Sequence, residues 1–231
     1  MRFGIEIARS YDVLALAIDM QPDELVTDPT GRQVAGRRKL REILRLPDFH
    51  HPVPILAMLE PSGGHLLIPA SESTSSYESV CALVARIQSA ANVSVTAGLV
   101  ESVAPADVQQ SGILASEILS LAKHSRGRPS VSRLADVALA YQLTRPSAGT
   151  RHLTHVLEKL DPHPELIEIL DCYLHHDLDR GRTARALRIH PNTVNNRLHR
   201  VAALIGIDPS KFEGIMLLGS ALALRRWNGD G

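Results

Sequence analysis

Two asparagines, a histidine and a group of arginines near the C-terminus carry the chemistry most legible in this chain. That chemistry is recognition rather than bond-making. In the stretch from Asp179 to Ile205, DRGRTARALRIHPNTVNNRLHRVAALI, residues Asn192, Asn196 and His199 share one helical face, flanked by Thr193, Asn195 and Arg200. An asparagine amide both donates and accepts, which suits the adenine edge in the major groove, whereas a guanidinium serves guanine or a phosphate oxygen. Asn192, Asn196 and His199 are therefore candidate base readers. Arg182, Arg185 and Arg200 are candidate phosphate holders, with Arg188 and His190 beside them. Asp179 is the only acid in this stretch, so its charge is strongly positive although the net charge of the chain is +0.

The residues that must position this face are apolar. Ala184, Leu187, Ile189 and Val194 have the spacing of two short helices joined by a tight turn. A small residue at 184 allows close crossing, and Leu187, Ile189 and Val194 fill the angle. The turn position often held by glycine is Arg188, so the turn must close without a free left-handed residue. His190 is the expected N-cap of the second helix and Pro191 suits its first position. Val194, Leu198, Val201 and Ile205 fall on one face, which must be buried. A small helical bundle with a solvated polar face is the blander alternative; capped start, core spacing and sign of charge together favour a DNA-binding helix-turn-helix.

At these residues the chain resembles the PucR/CdaR family of bacterial transcriptional regulators. The motifs are Ala184–Leu187, His190–Val194, Arg197–Arg200 and Ile205–Ile207. The likeness covers roughly 153–227 well and the rest more loosely. It implies operator DNA as partner.

The bulk numbers set the frame. A chain of 231 residues with 44% hydrophobic and 22% charged residues supports one large or two small folded domains. Aromatics are only 3%, so the cores must be built from Leu, Val, Ile and Ala. Cys81 and Cys172 lie in apolar helical patterns and are expected to be reduced. No secretory signal or membrane-spanning run is visible, and a cytoplasmic location is expected.

Upstream, Val13–Met20 is a continuous apolar run expected to form a buried strand, and Gln21–Gly36 is expected to be a loop. Arg37–Leu46 is expected to be a helix with Leu40, Ile43 and Leu44 inward and Arg37, Arg38, Lys39, Arg41 and Arg45 on a solvated basic side. Two strands, Val53–Leu59 and His65–Pro69, flank Pro61–Gly64 as a hairpin. A helix over Tyr77–Ala90, a strand over Val93–Val100 and a helix over Pro105–Lys123 with Val108, Ile113, Leu114, Ile118 and Leu121 buried complete the pattern. This order predicts an α/β (α+β) sandwich of ferredoxin-like type with the sheet covered on one side. Leu134–Leu143 is a further helical stripe, and Arg145–Thr150 is the best boundary. The domains are therefore placed at 1–146 and 151–231. In the second, helices are expected over His152–Leu160, over Pro164–His176 with Leu166, Ile167, Leu170, Tyr173 and Leu174 inward, and over Lys211–Trp227, apolar nearly all round.

The family resemblance implies that the first domain is a degenerate GGDEF-like module, kept for effector binding or dimerisation. Gly63-Gly64 echoes the cyclase signature, but His65 and Leu66 stand where two acids should follow, and Asp19 alone occupies a plausible metal position. Nucleotide cyclisation needs carboxylates there to hold the metal. No catalytic residue, metal or cofactor is therefore assigned. His152 with His155, His175-His176-Asp177 and His50-His51 lack a further ligand at zinc spacing.

Three functions compete. The favoured one is an effector-responsive transcriptional regulator, not an enzyme, that binds double-stranded DNA as a homodimer with no membrane partner. The second is a nucleotide-binding or cyclase-like enzyme with a helical accessory domain. The third is a protein-interaction module without DNA contact.

Overall fold

In the computed structural model the residues described are 8–26, 28–50, 54–70, 76–123 and 129–229. His51, Val53, most of the serine-rich break at 71–76 and most of the basic segment at 125–130 lie outside them. The chain divides into two compact units, Met1–Tyr141 and Gln142–Gly231.

The first unit is an α+β domain on a five-stranded sheet of order β2-β3-β1-β4-β5. Its strands are β1 (Tyr11–Ile18), β2 (Leu56–Glu60), β3 (Gly63–Pro69), β4 (Val95–Val103) and β5 (Val131–Arg133). β1 is central and antiparallel to β3 and β4; β4 and β5 run parallel. Every residue of β1 is buried, Asp12 included; of the expected buried run Val13–Met20, Asp19 and Met20 lie beyond the strand and are exposed. Helices consequently pack on both faces of the sheet at β1, which corrects the one-sided arrangement expected. On one face Leu14, Leu16, Ile18 and Leu66 pack with Ile43 of α2 (Pro29–Leu44) and with Val80, Leu83, Val84 and Ile87 of α3 (Ser76–Ala91). On the other, Val13 and Ala15 meet Ala115 of α4 (Val108–Lys123). Ile113, expected inside, is 51% exposed, and Val108 and Leu114 are half-buried; Ile118 and Leu121 are buried as expected, joined by Ala115 and Ala122.

The segment Gln21–Gly36 is helical rather than a loop. Pro22 opens α1 (Pro22–Val26) and Pro29 opens α2. Asp28 caps α2 by accepting the Gly31 N–H at 2.7 Å. Prolines that look like breakers are here first-turn residues, where the missing N–H costs nothing. Lys39, expected on the solvated basic side, is 1% exposed. Its Nζ lies 2.7 Å from Glu24 Oε1 and donates to the Asp19 carbonyl at 2.9 Å. Leu44, expected inward, is 38% exposed.

The hairpin turn is shorter than expected. Gly63 and Gly64 belong to β3, at φ 140° and 144°. A Cβ at Gly63 would stand 2.0 Å from the Leu16 carbonyl oxygen, and one at Gly64 2.1 Å from that of Met58. These glycines let three strands pass closely at this point. Across the sheet, Val13 faces Leu67, which faces Leu56; Ala15 faces His65, which faces Met58. β2 is an edge strand. β5, only three residues long, carries no period from which a strand could be foreseen.

The second unit is all-helical. Its helices are α6 (Ala148–Val156), α7 (Pro164–His175), α8 (Arg180–Ala186), α9 (Pro191–Ile205) and α10 (Phe212–Gly229), preceded by α5 (Leu134–Leu143), which runs into it. α6 begins inside the expected Arg145–Thr150 boundary, because Ser147 caps it by accepting the Thr150 N–H at 3.0 Å. The core gathers Leu160, Leu166, Ile169, Leu170, Tyr173, Val194, Leu198, Val201 and Leu218. Ile169 is buried where Ile167 and Leu174, expected inward, are half-buried. Cys81 and Cys172 are free thiols, half-buried. No helix among the described residues is long and apolar enough to cross a membrane.

Candidate nucleic-acid interface

The interface is built on α8, the turn after it and α9. Asp179 starts α8, its carboxylate accepting the Arg182 N–H at 2.8 Å. That hydrogen bond, then one from the Gly181 N–H and the charges of Arg182 and Arg185, hold the Asp179 carboxyl below the usual carboxylate range. Thr183 is fully buried and its hydroxyl donates to the Asp179 carbonyl at 2.7 Å. Thr183 therefore joins Ala184 at the helix crossing, a role its polarity hides in the sequence.

The turn closes through Arg188 itself, at φ 54°. Leu187 ends α8, and the Ile189 N–H returns to the Ala184 carbonyl at 3.0 Å. A side chain thus occupies the left-handed position that glycine would take without strain. Leu187 and Ile189 are half-buried against the core.

His190 caps α9: its Nδ1 accepts the Asn192 N–H at 3.2 Å, which requires the unprotonated nitrogen at that position. Pro191 takes the first helical position, and Gly206, at φ 77°, ends the helix. Val194, Leu198 and Val201 are buried and Ile205 is half-buried. Opposite this stripe, Asn192, Asn196, His199 and Arg200 are exposed, and Thr193 and Asn195 are half-buried beside them. Arg182, Arg185, Arg188 and His190 are exposed as well. Arg180, exposed at the first position of α8, was not among the candidates; its signal is the Arg-Gly-Arg run after the cap.

Tertiary structure brings in acids that the local stretch lacks. Arg200 lies 3.7 Å from Glu165, near the start of α7, and 3.4 Å from the ring nitrogens of His163. Asp208 is near enough to His199 for that charge to contribute to a lowered Asp208 carboxyl, after the larger effects of hydrogen bonds from Ser210 and the charge of Lys211. Of Arg182, Arg185, Arg188 and Arg200, Arg188 is the one whose positive charge is least opposed; the exposed Asp179 lies 3.7 Å from Arg182 and also feels the charge of Arg185. Burial, then Asp171 and Glu168, push the Cys172 thiol up, so it is a poor nucleophile.

The remaining candidates are dispersed. His155 bonds Glu158, and the rings of His175 and His176 meet edge-on. Asp19 is exposed, while His65 contacts Ser116 in the first unit. Among the described residues no three His, Cys, Asp or Glu side chains gather to hold a metal ion.

A capped, amphipathic second helix crossing a short first helix, with amides and cations outward, defines a helix-turn-helix of the DNA-binding class. Residues 166–224 match the family model for the PucR C-terminal helix-turn-helix domain, and the second unit therefore carries a domain of that family. Among individual proteins, uncharacterized protein YsfB of Bacillus subtilis (strain 168) is 35% identical over 89 residues, 38% of this chain and 24% of its own. The carbohydrate diacid regulator of Escherichia coli (strain K12) is 34% identical over 85 residues, 37% of this chain and 20% of its own. The matches thus span about a quarter and a fifth of these relatives. A solved structure, the regulator of polyketide synthase expression from Bifidobacterium adolescentis, aligns over 95% of this chain and 82% of its own. Its identity of 16% and TM-score of 0.32 are too low to bear on the fold.

Proposed function

We propose that this chain is a DNA-binding transcriptional regulator of the PucR/CdaR type. It engages operator DNA with α9 in the major groove. Asn192, Asn196 and His199 read bases, Thr193 and Asn195 flank them, and Arg182, Arg185, Arg188 and Arg200 with the N-terminal end of α9 at His190 meet the backbone. The observation that carries this reading is the exposure of Asn192, Asn196 and His199 opposite the buried Val194, Leu198 and Val201 stripe, on the second helix of a family-matched motif.

The first unit, in this reading, is a degenerate GGDEF-like domain that binds an effector or joins two subunits. The sheet order β2-β3-β1-β4-β5 and the glycine pair opening β3 support the assignment. It is not a cyclase. His65 and Leu66 supply no carboxylates, and Lys39, the one buried cation beside the end of β1 among the described residues, is already neutralised by Glu24. A turnover assay with nucleoside triphosphate and Mg²⁺ separates the two readings; turnover above background overturns this one.

The test of DNA recognition is selection with the full chain from a random duplex pool, followed by affinity measurements over a salt series. An enriched sequence and a linear fall of log affinity with log salt are expected. Failure to enrich any sequence, with salt-independent binding, would refute the proposal and leave an interaction module.

A further inference from the structure

We propose that the groove between α4 and the β2–β3 edge of the sheet binds a flat, mainly apolar, uncharged small molecule carrying one hydroxyl or N–H donor. α4 lies over β1 and β4 and leaves the outer part of that face open. The opening is a cavity of about 450 Å³, a size typical of small-molecule sites. Its floor is two rows of cross-strand neighbours: Val13, Leu67 and Leu56 in one, His65 and Met58 in the next. Its wall is one face of α4, where Val108, Gly112 and Ile113 stand.

Two large apolar side chains at this groove face water: Met58 is 73% exposed and Ile113 51%. A ligand that covered them would gain by removing that surface from water. No Lys, Arg, Asp or Glu lines the cavity, which excludes phosphates and carboxylates as its natural occupants. One polar group is oriented. The Ser116 hydroxyl donates to the Gly112 carbonyl at 2.9 Å, so its oxygen must accept from His65 Nε2, 2.9 Å away. An Nε2–H of the imidazole is thereby directed at Ser116, and Nδ1, when it carries no proton, is an acceptor. Besides Ser116, His65 and Gln109 are the polar side chains of this mainly apolar lining, and the acceptor of His65 is what a single ligand donor would meet.

This site would serve the effector of the proposed regulator and rests on that reading for its purpose alone. Binding is measured on the full chain without DNA, so a failure here leaves DNA recognition untouched. The probes are 2-naphthol, which has the donor, and 2-methoxynaphthalene, which lacks it. The full chain should bind 2-naphthol saturably at sub-millimolar concentration and the ether about ten-fold more weakly. Gly112→Leu should abolish binding of both: a Cβ there meets only His65 Cδ2, at 4.0 Å, so a longer side chain grows into the cavity, and leucine suits a helix better than glycine. His65→Phe should bring 2-naphthol down to the level of the ether. On the wild-type chain, the methyl resonance of Met58 should shift with 2-naphthol while those of Met20 and Met216 stay in place. Absence of saturable binding, or a Met58 methyl that does not respond, overturns the site. Undiminished binding by a folded Gly112→Leu chain does the same, and equal affinity for the two probes overturns the role given to His65.

Discussion

Arg188 is the residue where stability and the proposed function pull apart. Its left-handed backbone at φ 54° is a conformation that costs a side-chain-bearing residue about 1 kcal/mol or more. Arg188→Gly should therefore raise the stability of the second unit by about 1 kcal/mol in urea titration. The same change removes an exposed cation, so the salt dependence of DNA binding should flatten by about one unit. A variant that gained no stability would show that the left-handed backbone at Arg188 carries no strain that glycine relieves. Base reading and phosphate contact separate in the same way. Asn196→Ala should lose about 1–3 kcal/mol on the best operator and relax preference at one position. Arg185→Ala should weaken all sequences alike. If Asn196→Ala left affinity and preference unchanged in a folded protein, the reading face would be misassigned.

At the scale of elements, two acids govern the interface. Asp179 caps α8 as a carboxylate, and its folded-state titration lies below the usual range. A depressed carboxylate contributes stability that is present above its unfolded value, about 3.9, and is lost as pH falls through the folded one. Asp179→Asn should thus be less stable than wild type at neutral pH, with the difference shrinking as pH falls below about 3.9 and vanishing only below the still lower folded-state value, where both side chains are uncharged. A gap that persisted in acid would trace the effect to packing. Glu165 acts from another helix, holding Arg200 at 3.7 Å. Glu165→Gln should release that guanidinium and steepen the salt slope of DNA binding by up to one unit. If the slope instead stays constant, Arg200 does not reach phosphate in either protein.

At the scale of the whole molecule, one helix-turn-helix offers few base contacts, and a homodimer is the proposed way to double them. α10 leaves Phe212 79% and Met216 55% exposed, one turn apart, on a helix whose other faces bury Leu218, Leu222 and Leu224. Sedimentation of the full chain should show dimers at micromolar concentration or on DNA, and Phe212→Lys with Met216→Lys should shift them to monomer and weaken operator binding. A strict monomer in both states removes dimerisation from the proposal.

The helix-turn-helix was legible from residues alone because its information is local. The His190-Pro191 start, the i, i+4, i+7 stripe from Val194 and the outward Asn192, Asn196 and His199 all lie within one short segment, where helical geometry leaves little freedom. The inward face of α3 and the buried run of β1 were legible for the same reason. Other features depended on partners distant in sequence. Pro22 and Pro29 start helices because Glu24, Lys39 and the strand end at Asp19 give those helices something to close upon. Ile113 is exposed because α4 turns Ala115 and Ile118, not its neighbour, toward the sheet. Only tertiary structure set Glu165 against Arg200 and Asp208 near His199, since charge counted along the chain ignores what folding brings alongside. The same holds for the open floor beside α4: a cavity is a property of what neighbouring elements fail to cover, and no single element encodes it.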